Sequence, residues 1–410
     1  MTSAAGDPAD VALGDLGRAE AARSAAFLAT ALPPDLRATF DEAFIRSHVL
    51  YREFVCRLVL RIARDMGLDA ALATPGTSRE VARRASLDGP HALVPLDWML
   101  RYLAARGWLE THGGDEPRFR ATRPLPSLDP APVREEQRAW VPSWMPAYAL
   151  AEAVARDYPA FLRGQATGEE VLFAPRRLRL WVDYFSNDHG LYTVNNQVGA
   201  VAATEWWPDA PGAILELGGG LGSGALALLA RLDATGRLGA VGAYHFTELV
   251  PAFLRRGEQA LRARYPTLAG LRYGALDMDR PFGEQGVAPG SAALVFAVNT
   301  LHAARDLAFT LGEVRRTLVP GGRLVISECV PPLEPIYAEF VFNLTETFRS
   351  PRLDPRVRPH GGFLEPEHWR AALEGAGLVD VRVLPDLARI RAEVPDFGVA
   401  AIGAARPAGR

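Results

Sequence analysis

The sequence predicts an α/β protein: a doubly wound, mostly parallel sheet preceded by a mostly α-helical N-terminal region. Three observations carry this. From Pro211 onward, short apolar runs suited to strands alternate with stretches of helical period, the rhythm of a parallel sheet covered by helices. Within it, Ala213-Ile-Leu-Glu-Leu-Gly218-Gly-Gly220-Leu-Gly222-Ser-Gly224 passes from a buried strand into a glycine-rich turn, and Ala225–Leu232 continues as a helix. Before residue 124, apolar residues recur mainly at the spacing of amphipathic helices.

Residues 1–35 are Ala-rich and polar, broken by Pro33-Pro34, and read as a flexible tail with one loose helix. Ala43–Met66 has the apolar spacing of an amphipathic helix, ended at Gly67. Thr77-Ser-Arg-Glu80 places a cap before Val81-Ala-Arg-Arg-Ala. Leu93–Arg106 is a further helix, and Gly107–Gly114 with Phe119-Arg-Ala-Thr makes a short β-hairpin. Three helices and a small wing form a winged-helix pattern, so 36–123 is expected to be a winged-helix-like domain. Pro124, Pro126, Pro130 and Pro132 mark a linker, and 124–204 reads as linker and helical lid. Trp140, Trp144, Tyr148, Tyr158, Trp181, Tyr184 and Tyr192 make this zone aromatic, which suits either packing between domains or a substrate wall. The sheet domain occupies 205–410. Its strands are expected at Ala213–Leu217, Val241–Phe246, Leu271–Ala275, Ala292–Val298 and Arg323–Glu328. A helix at Trp369–Gly377 and strands at Leu378–Leu384 and Phe397–Ala405 close one edge.

Composition narrows the function. The 410 residues carry a net charge of −3, with no basic stripe to serve DNA, RNA or an anionic membrane. No apolar run reaches the length of a membrane span. The N-terminus lacks the basic and apolar regions of a secretory signal, so a cytoplasmic protein is expected. Cys56 and Cys329, far apart, give neither a disulfide framework nor a zinc spacing. Every basic residue counted is arginine, and the chain has no lysine. That excludes a phosphate-loop lysine, a Schiff-base lysine for pyridoxal phosphate and a Ser–Lys dyad.

Strand, acid, glycine-rich turn and helix together make a nucleotide cradle. Glycines admit a ligand close to the backbone, and the helix N-terminus offers unpaired N–H groups. The turn departs from the dinucleotide pattern, because Ser223 stands in the third glycine slot. Further signals follow in register. The second strand closes at Tyr244-His-Phe-Thr-Glu248, and the third is followed by Leu276-Asp277-Met278-Asp279. The fourth runs into Asn299-Thr-Leu-His302, and Leu318-Val-Pro320-Gly321-Gly322 precedes the fifth. With Glu216-x-Gly218-x-Gly220-x-Gly222, this set resembles the class I S-adenosylmethionine-dependent methyltransferases and their Rossmann-like sheet. The resemblance implies S-adenosyl-L-methionine as cofactor and S-adenosyl-L-homocysteine as its product. It assigns Glu216, Gly218, Gly220, Gly222, Met278 and Asn299 to the cofactor, Glu248 to its ribose hydroxyls and Asp277 to its adenine amino group.

Two narrower likenesses compete. Phe161-Leu-Arg-Gly164, Val171-Leu-Phe173, Tyr192-x-x-Asn195-Asn196, Tyr244-x-Phe-Thr-Glu248 and Leu301-His302-Ala303 resemble polyketide synthase C-methyltransferase domains over residues 160–330. The likeness departs at Glu248, where Asp is usual. The winged-helix segment, His302 and Gly321–Pro332 resemble small-molecule O-methyltransferases, which usually carry His-Asp-Trp where this chain has His302-Ala-Ala304.

Methyl transfer to a weakly acidic C–H or O–H needs a base. His302 lies just past the fourth strand, on the sheet edge where ligands bind, and Glu328 ends the neighbouring fifth strand. A carboxylate on one ring nitrogen fixes the tautomer and stabilises the imidazolium formed at the other. His302 is therefore the expected general base and Glu328 its orienter, a pair both likenesses carry. Tyr192, Asn195 and Asn196, from the polyketide-type likeness, and His360 are candidates for the substrate side. His368, like His360, lies late in the chain and could face the pocket, with a loop or surface histidine the more ordinary expectation for both. His245 and His302 lack ligand spacing, so no metal is expected. The expected reaction is methylation of carbon α to a carbonyl, on a small-molecule or carrier-protein-bound acyl substrate of natural-product biosynthesis. O-methylation of a hydroxyl or carboxylate is the alternative, and a winged-helix DNA-binding regulator a distant one. The apolar face Phe44–Leu60 suits burial against a second copy, so a homodimer is expected.

Overall fold

The computed structural model describes residues 15–114, 116–208, 212–332 and 335–408. Among them, one compact unit holds the residues up to Thr30, Phe40–Tyr184 and the stretch ending at Arg349. The other holds Ala31–Thr39, Phe185–Pro332 and the residues from Ser350 onward.

The first unit is helical. Asp15–Ala31 is one helix with Ala21 and Leu28 buried, so this part of the expected flexible tail is packed; residues 1–14 of that expectation lie outside the described residues. Asp41 caps the helix Glu42–Asp65 by accepting the Phe44 N–H at 2.8 Å. The face expected to bind a second copy is used within the unit: Leu50, Phe54 and Leu58 are fully buried. Tyr51 donates to the Ala147 carbonyl at 3.2 Å, and the Phe54 and Tyr148 rings lie 4.4 Å apart. That burial satisfies the apolar stripe without a partner, which removes the basis for the homodimer expectation. Thr77 and Glu80 form a reciprocal capping box at Ser78–Arg84. Leu93–Ala104 follows, and then strands β1 (Glu110–His112) and β2 (Arg118–Arg120) pair antiparallel.

Beyond the proline-rich stretch come the helices Ala131–Trp140, Met145–Leu162, Gly168–Phe173 and Leu178–Tyr184. Pro142, Gly164 and Pro175 fall in the breaks between them. Trp144, Tyr148, Tyr158 and Trp181 are buried in the core, whereas Trp140 is exposed. The aromatic zone is therefore largely packing.

The second unit is built on a seven-stranded sheet. Its strands are β3 (Gly212–Leu217), β4 (Val241–Thr247), β5 (Leu271–Gly274), β6 (Ala292–Val298), β7 (Leu318–Cys329), β8 (Val379–Leu384) and β9 (Val399–Ala405). The order across the sheet is β5-β4-β3-β6-β7-β9-β8. Strands β3 to β7 run parallel, while β9 is antiparallel to both β7 and β8. Every residue of β6 is buried, as expected for a strand covered on both faces. The chain steps outward from β3 to β5 and then returns to place β6 on the other side of β3. Direction thus switches between β3 and β6, and such a point opens a crevice at the carboxyl ends of the strands. The helix Thr193–Glu205 belongs to this unit. Among the described residues, no helix is long and apolar enough to cross a membrane.

Candidate active site

The turn after β3 leads into the helix Ser223–Ala234. A side chain at Gly219 would collide with the Phe246 ring, so this residue must be small for the turn to lie on β4. Gly220 differs. It adopts φ +57°, and a Cβ built there would meet no heavy atom within 4 Å. Its open side is a cradle that faces no protein atom. Beneath the turn, Glu216 is 1% exposed and accepts the Tyr244 hydroxyl at 2.9 Å. Burial pushes its carboxyl up to about 8; the bonds from Tyr244 and the Ala225 N–H pull it down, and the nearby Glu248 charge pushes it further up. Glu216 thus ties the strand to Tyr244 and to the first turn of the helix.

Glu248 follows β4 and is almost fully buried. Its carboxylate accepts the Gly220 N–H at 2.9 Å and the Val250 N–H at 2.7 Å, one on each oxygen. Burial raises its pKa, opposed by bonds from the Val250, Gly220 and Leu249 backbone. Three backbone N–H groups thus occupy three of the roughly four acceptor sites of the carboxylate, which leaves one for a ligand hydroxyl. Past β5, half-buried Asp277 accepts the Asp279 N–H at 3.0 Å and donates its own N–H to Gln285 at 2.8 Å. The Met278 carbonyl accepts from Thr310 at 3.0 Å, so this loop is pinned at two points.

β6 is followed by Asn299, which takes φ +47°. Asparagine is among the few side chains that tolerate this region. The Asn299 side-chain oxygen accepts from Asn195 at 2.6 Å and from the Cys329 N–H at 3.1 Å. The chain then turns so that the Thr300 and His302 N–H groups point to one oxygen of Glu328, at 3.2 and 3.3 Å. The other oxygen lies 2.7 Å from His302 Nδ1. Glu328 is 0% exposed and His302 7%. A carboxylate accepts, so Nδ1 carries a proton, and in the neutral ring Nε2 then holds the lone pair.

Two further residues hold the histidine, and sequence reasoning missed both. Arg358, 1% exposed, donates from Nη2 to the His302 carbonyl at 2.6 Å. Burial pulls its guanidinium down to about 10, against the opposing pull of Glu328. Phe363 stands edge-on to the imidazole, with ring centroids 4.7 Å apart. The motif Arg358-Pro-His360-Gly-Gly draws attention to its histidine, yet His360 is exposed and its ring nitrogens face Gly361 and Glu365. His245 sits within β4, in register with Leu215 and Arg272.

The remaining candidates line one helix. Tyr192 precedes Thr193–Glu205, and its hydroxyl pKa is raised by burial and then by the Glu216 and Glu248 charges, which places it close to both acids. Asn195 ties Asn299 and accepts from Ser327 at 2.7 Å through its carbonyl. Asn196 donates to Asn187 at 2.7 Å, and Asn187 donates to the Ser223 carbonyl at 2.9 Å. This chain of amides anchors the helix to the first turn of Ser223–Ala234. Asn195 and the Asn196 amide nitrogen are thus engaged in internal bonds, while the buried Asn196 side-chain oxygen has no hydrogen-bond partner among the described residues.

These residues fit a nucleoside-bearing cofactor with an amino-acid tail: an open glycine cradle at Gly220, a helix N-terminus beside it, and acids at the ends of β4 and β5. With the switch-point sheet and its antiparallel β9, the fold and site define a class I S-adenosylmethionine-dependent methyltransferase domain. Comparison with known proteins agrees. Residues 215–324 match the family described as "Methyltransferase domain". The chain is 30% identical over 306 residues to "Highly reducing polyketide synthase 2" of Gibberella zeae, covering 72% of this chain and 11% of that protein. It is 35% identical over 164 residues to "Methyltransferase calH" of Penicillium decumbens, covering 40% and 43%. It spans 11% or less of the first three synthases it matches. Among solved structures, the CurJ carbon methyltransferase aligns with a TM-score of 0.74 at 21% identity, over 95% of this chain and 99% of that one. The citrinin polyketide synthase CMeT domain aligns at 0.70 and 17% identity, over 97% and 99%. The chain therefore carries a methyltransferase domain that uses S-adenosylmethionine and is related to polyketide synthase C-methyltransferase domains.

Proposed function

We propose that the protein methylates the carbon α to a carbonyl in an acyl substrate, free or bound to a carrier protein, within polyketide-type biosynthesis. The observation that carries this reading is the buried His302–Glu328 contact of 2.7 Å on the carboxyl edge of the sheet. When bound, S-adenosylmethionine supplies an electrophilic methyl group. Gly220, Glu248 and Asp277 are the residues that would hold it. His302 Nε2, the nitrogen with the lone pair, accepts the α-proton of the acceptor. Glu328 holds the ring in that tautomer and offsets the positive charge the ring acquires. Arg358 and Phe363 fix the position of the histidine, and its burial keeps bulk water from competing for the base. The sequence relationship to polyketide synthases supports an acyl acceptor.

The test offers the purified chain a β-ketoacyl thioester, a phenol and a carboxylic acid with labelled cofactor, and locates the methyl group by mass spectrometry. A C–CH3 bond on the thioester, retained after hydrolysis, is expected. Methylation of the phenol or acid with the thioester untouched would move the assignment to O-methylation.

A further inference from the structure

The segment after Arg358 holds a cluster that methyl transfer leaves unused. His360 Nε2 lies 3.2 Å from one oxygen of Glu365, and His368 Nδ1 lies 2.7 Å from that same oxygen. The three ligand atoms all stand within 4.8 Å of one another. Local structure brings them together: Glu365 is the residue before the helix Pro366–Gly375, and His368 returns over it one turn later. The sequence His360-x4-Glu365-x2-His368 thus closes on itself at a helix start.

Proton bookkeeping is awkward for this cluster if both rings are neutral. His360 Nδ1 faces the Gly361 carbonyl at 2.7 Å, and a carbonyl only accepts, so that nitrogen carries the ring proton. The neutral ring then turns the lone pair of Nε2 toward a carboxylate oxygen. A cation at that point, a proton or a metal ion, would satisfy the contact.

We propose that His360 Nε2, Glu365 and His368 Nδ1 form a binding site for a divalent transition metal of the zinc class. Two imidazoles and one carboxylate suit zinc better than magnesium or calcium, which take oxygen ligands. Three protein ligands leave a fourth position, and the part-exposed cluster opens it to solvent. The Gly361 carbonyl is the outer partner that presents Nε2 to the metal. Bonds of roughly 2.0–2.2 Å separate tetrahedral ligand atoms by roughly 3.3–3.5 Å, so the 2.7 Å His368–Glu365 pair would open by under an ångström, with the ligand atoms already within 4.8 Å of one another. The metal would clip residues 360–368 into one loop, and that loop includes Phe363, which rests on His302. This departs from the expectation that the chain binds no metal.

The full chain, stripped with a chelator, is titrated with Zn2+ in competition with a chromophoric chelator, and separately with Co2+ to read its visible absorption. One equivalent bound with a submicromolar Kd and a four-coordinate Co2+ spectrum is expected. His360→Ala and His368→Ala should each weaken binding roughly 100-fold or more, beyond the usual effect of losing an outer-shell partner. Glu365→Gln, which keeps the side-chain shape, should do the same, with circular dichroism in chelator matching the parent. No binding tighter than about 10 μM, or tight binding unchanged in the His360→Ala/His368→Ala double variant, would overturn the proposal. None of these readouts depends on methyl transfer.

Discussion

Glu216→Gln tests the idea that a neutral carboxylic acid supports the cofactor turn. In the fold this carboxyl titrates near 8, raised mainly by burial; in the unfolded chain it returns to an ordinary value near 4.5. Between those values the native state holds a proton that the unfolded state has lost. Stability therefore falls as pH rises through this window and levels off above it. Each tenfold difference in proton affinity is worth about 1.4 kcal/mol, so the full window amounts to on the order of 4–5 kcal/mol. Glutamine resembles the protonated acid in shape, cannot ionise, and loses one acceptor, at a pH-independent cost of about 1 kcal/mol. The assay is urea unfolding of parent and variant at pH 5, 6, 7 and 8, followed by circular dichroism. The variant should be the less stable at pH 5 and should gain on the parent by up to about 1.4 kcal/mol per pH unit. A difference that stays flat from pH 5 to 8 would refute the buried neutral acid, and with it this account of how the turn is supported.

Two further outcomes follow from the same geometry. Gly220→Ala places a methyl in the open cradle and forces an L-residue to φ +57°, at a cost of roughly 1–2 kcal/mol. Isothermal titration should show S-adenosylhomocysteine affinity weakened by at least about tenfold, while the free chain still unfolds cooperatively; unchanged affinity would place the cofactor elsewhere. Arg358→Met removes the hydrogen bond to the His302 carbonyl. Steady-state kinetics should give a kcat lowered on the order of tenfold, the rate equivalent of about 1.4 kcal/mol of lost positioning, with cofactor affinity kept. An unchanged kcat would mean that His302 is held by Glu328 and Phe363 alone.

Much of the sheet was legible because its signals are local. The run into Gly218–Gly222, the apolar β6 and the β8/β9 pair each declare themselves within a dozen residues. His302 and Glu328 could be matched because parallel neighbours β6 and β7 end on the same edge. What sequence could not show depends on chain that returns from afar. Arg358 reaches His302 across 56 residues, and no local pattern marks a buried arginine aimed at a carbonyl. The motif marks Glu216, but not that its side chain accepts the Tyr244 hydroxyl from the neighbouring strand. The face Phe44–Leu60 reads as unpartnered because its cover, Met145–Leu162, lies some 90 residues further along. Residues 31–39 and 335–349 each join the unit that their sequence neighbours do not, and hydrophobic periodicity carries no such information.

The most direct test of the catalytic reading is His302→Ala, assayed for methyl transfer to a β-ketoacyl thioester alongside S-adenosylhomocysteine binding by calorimetry. Loss of the base should lower kcat by roughly 10²–10⁴-fold while the cofactor Kd stays within about twofold, because the cradle residues Gly220 and Glu248 are untouched. Turnover close to the parent's with the cofactor bound as before would remove His302 from the role of base.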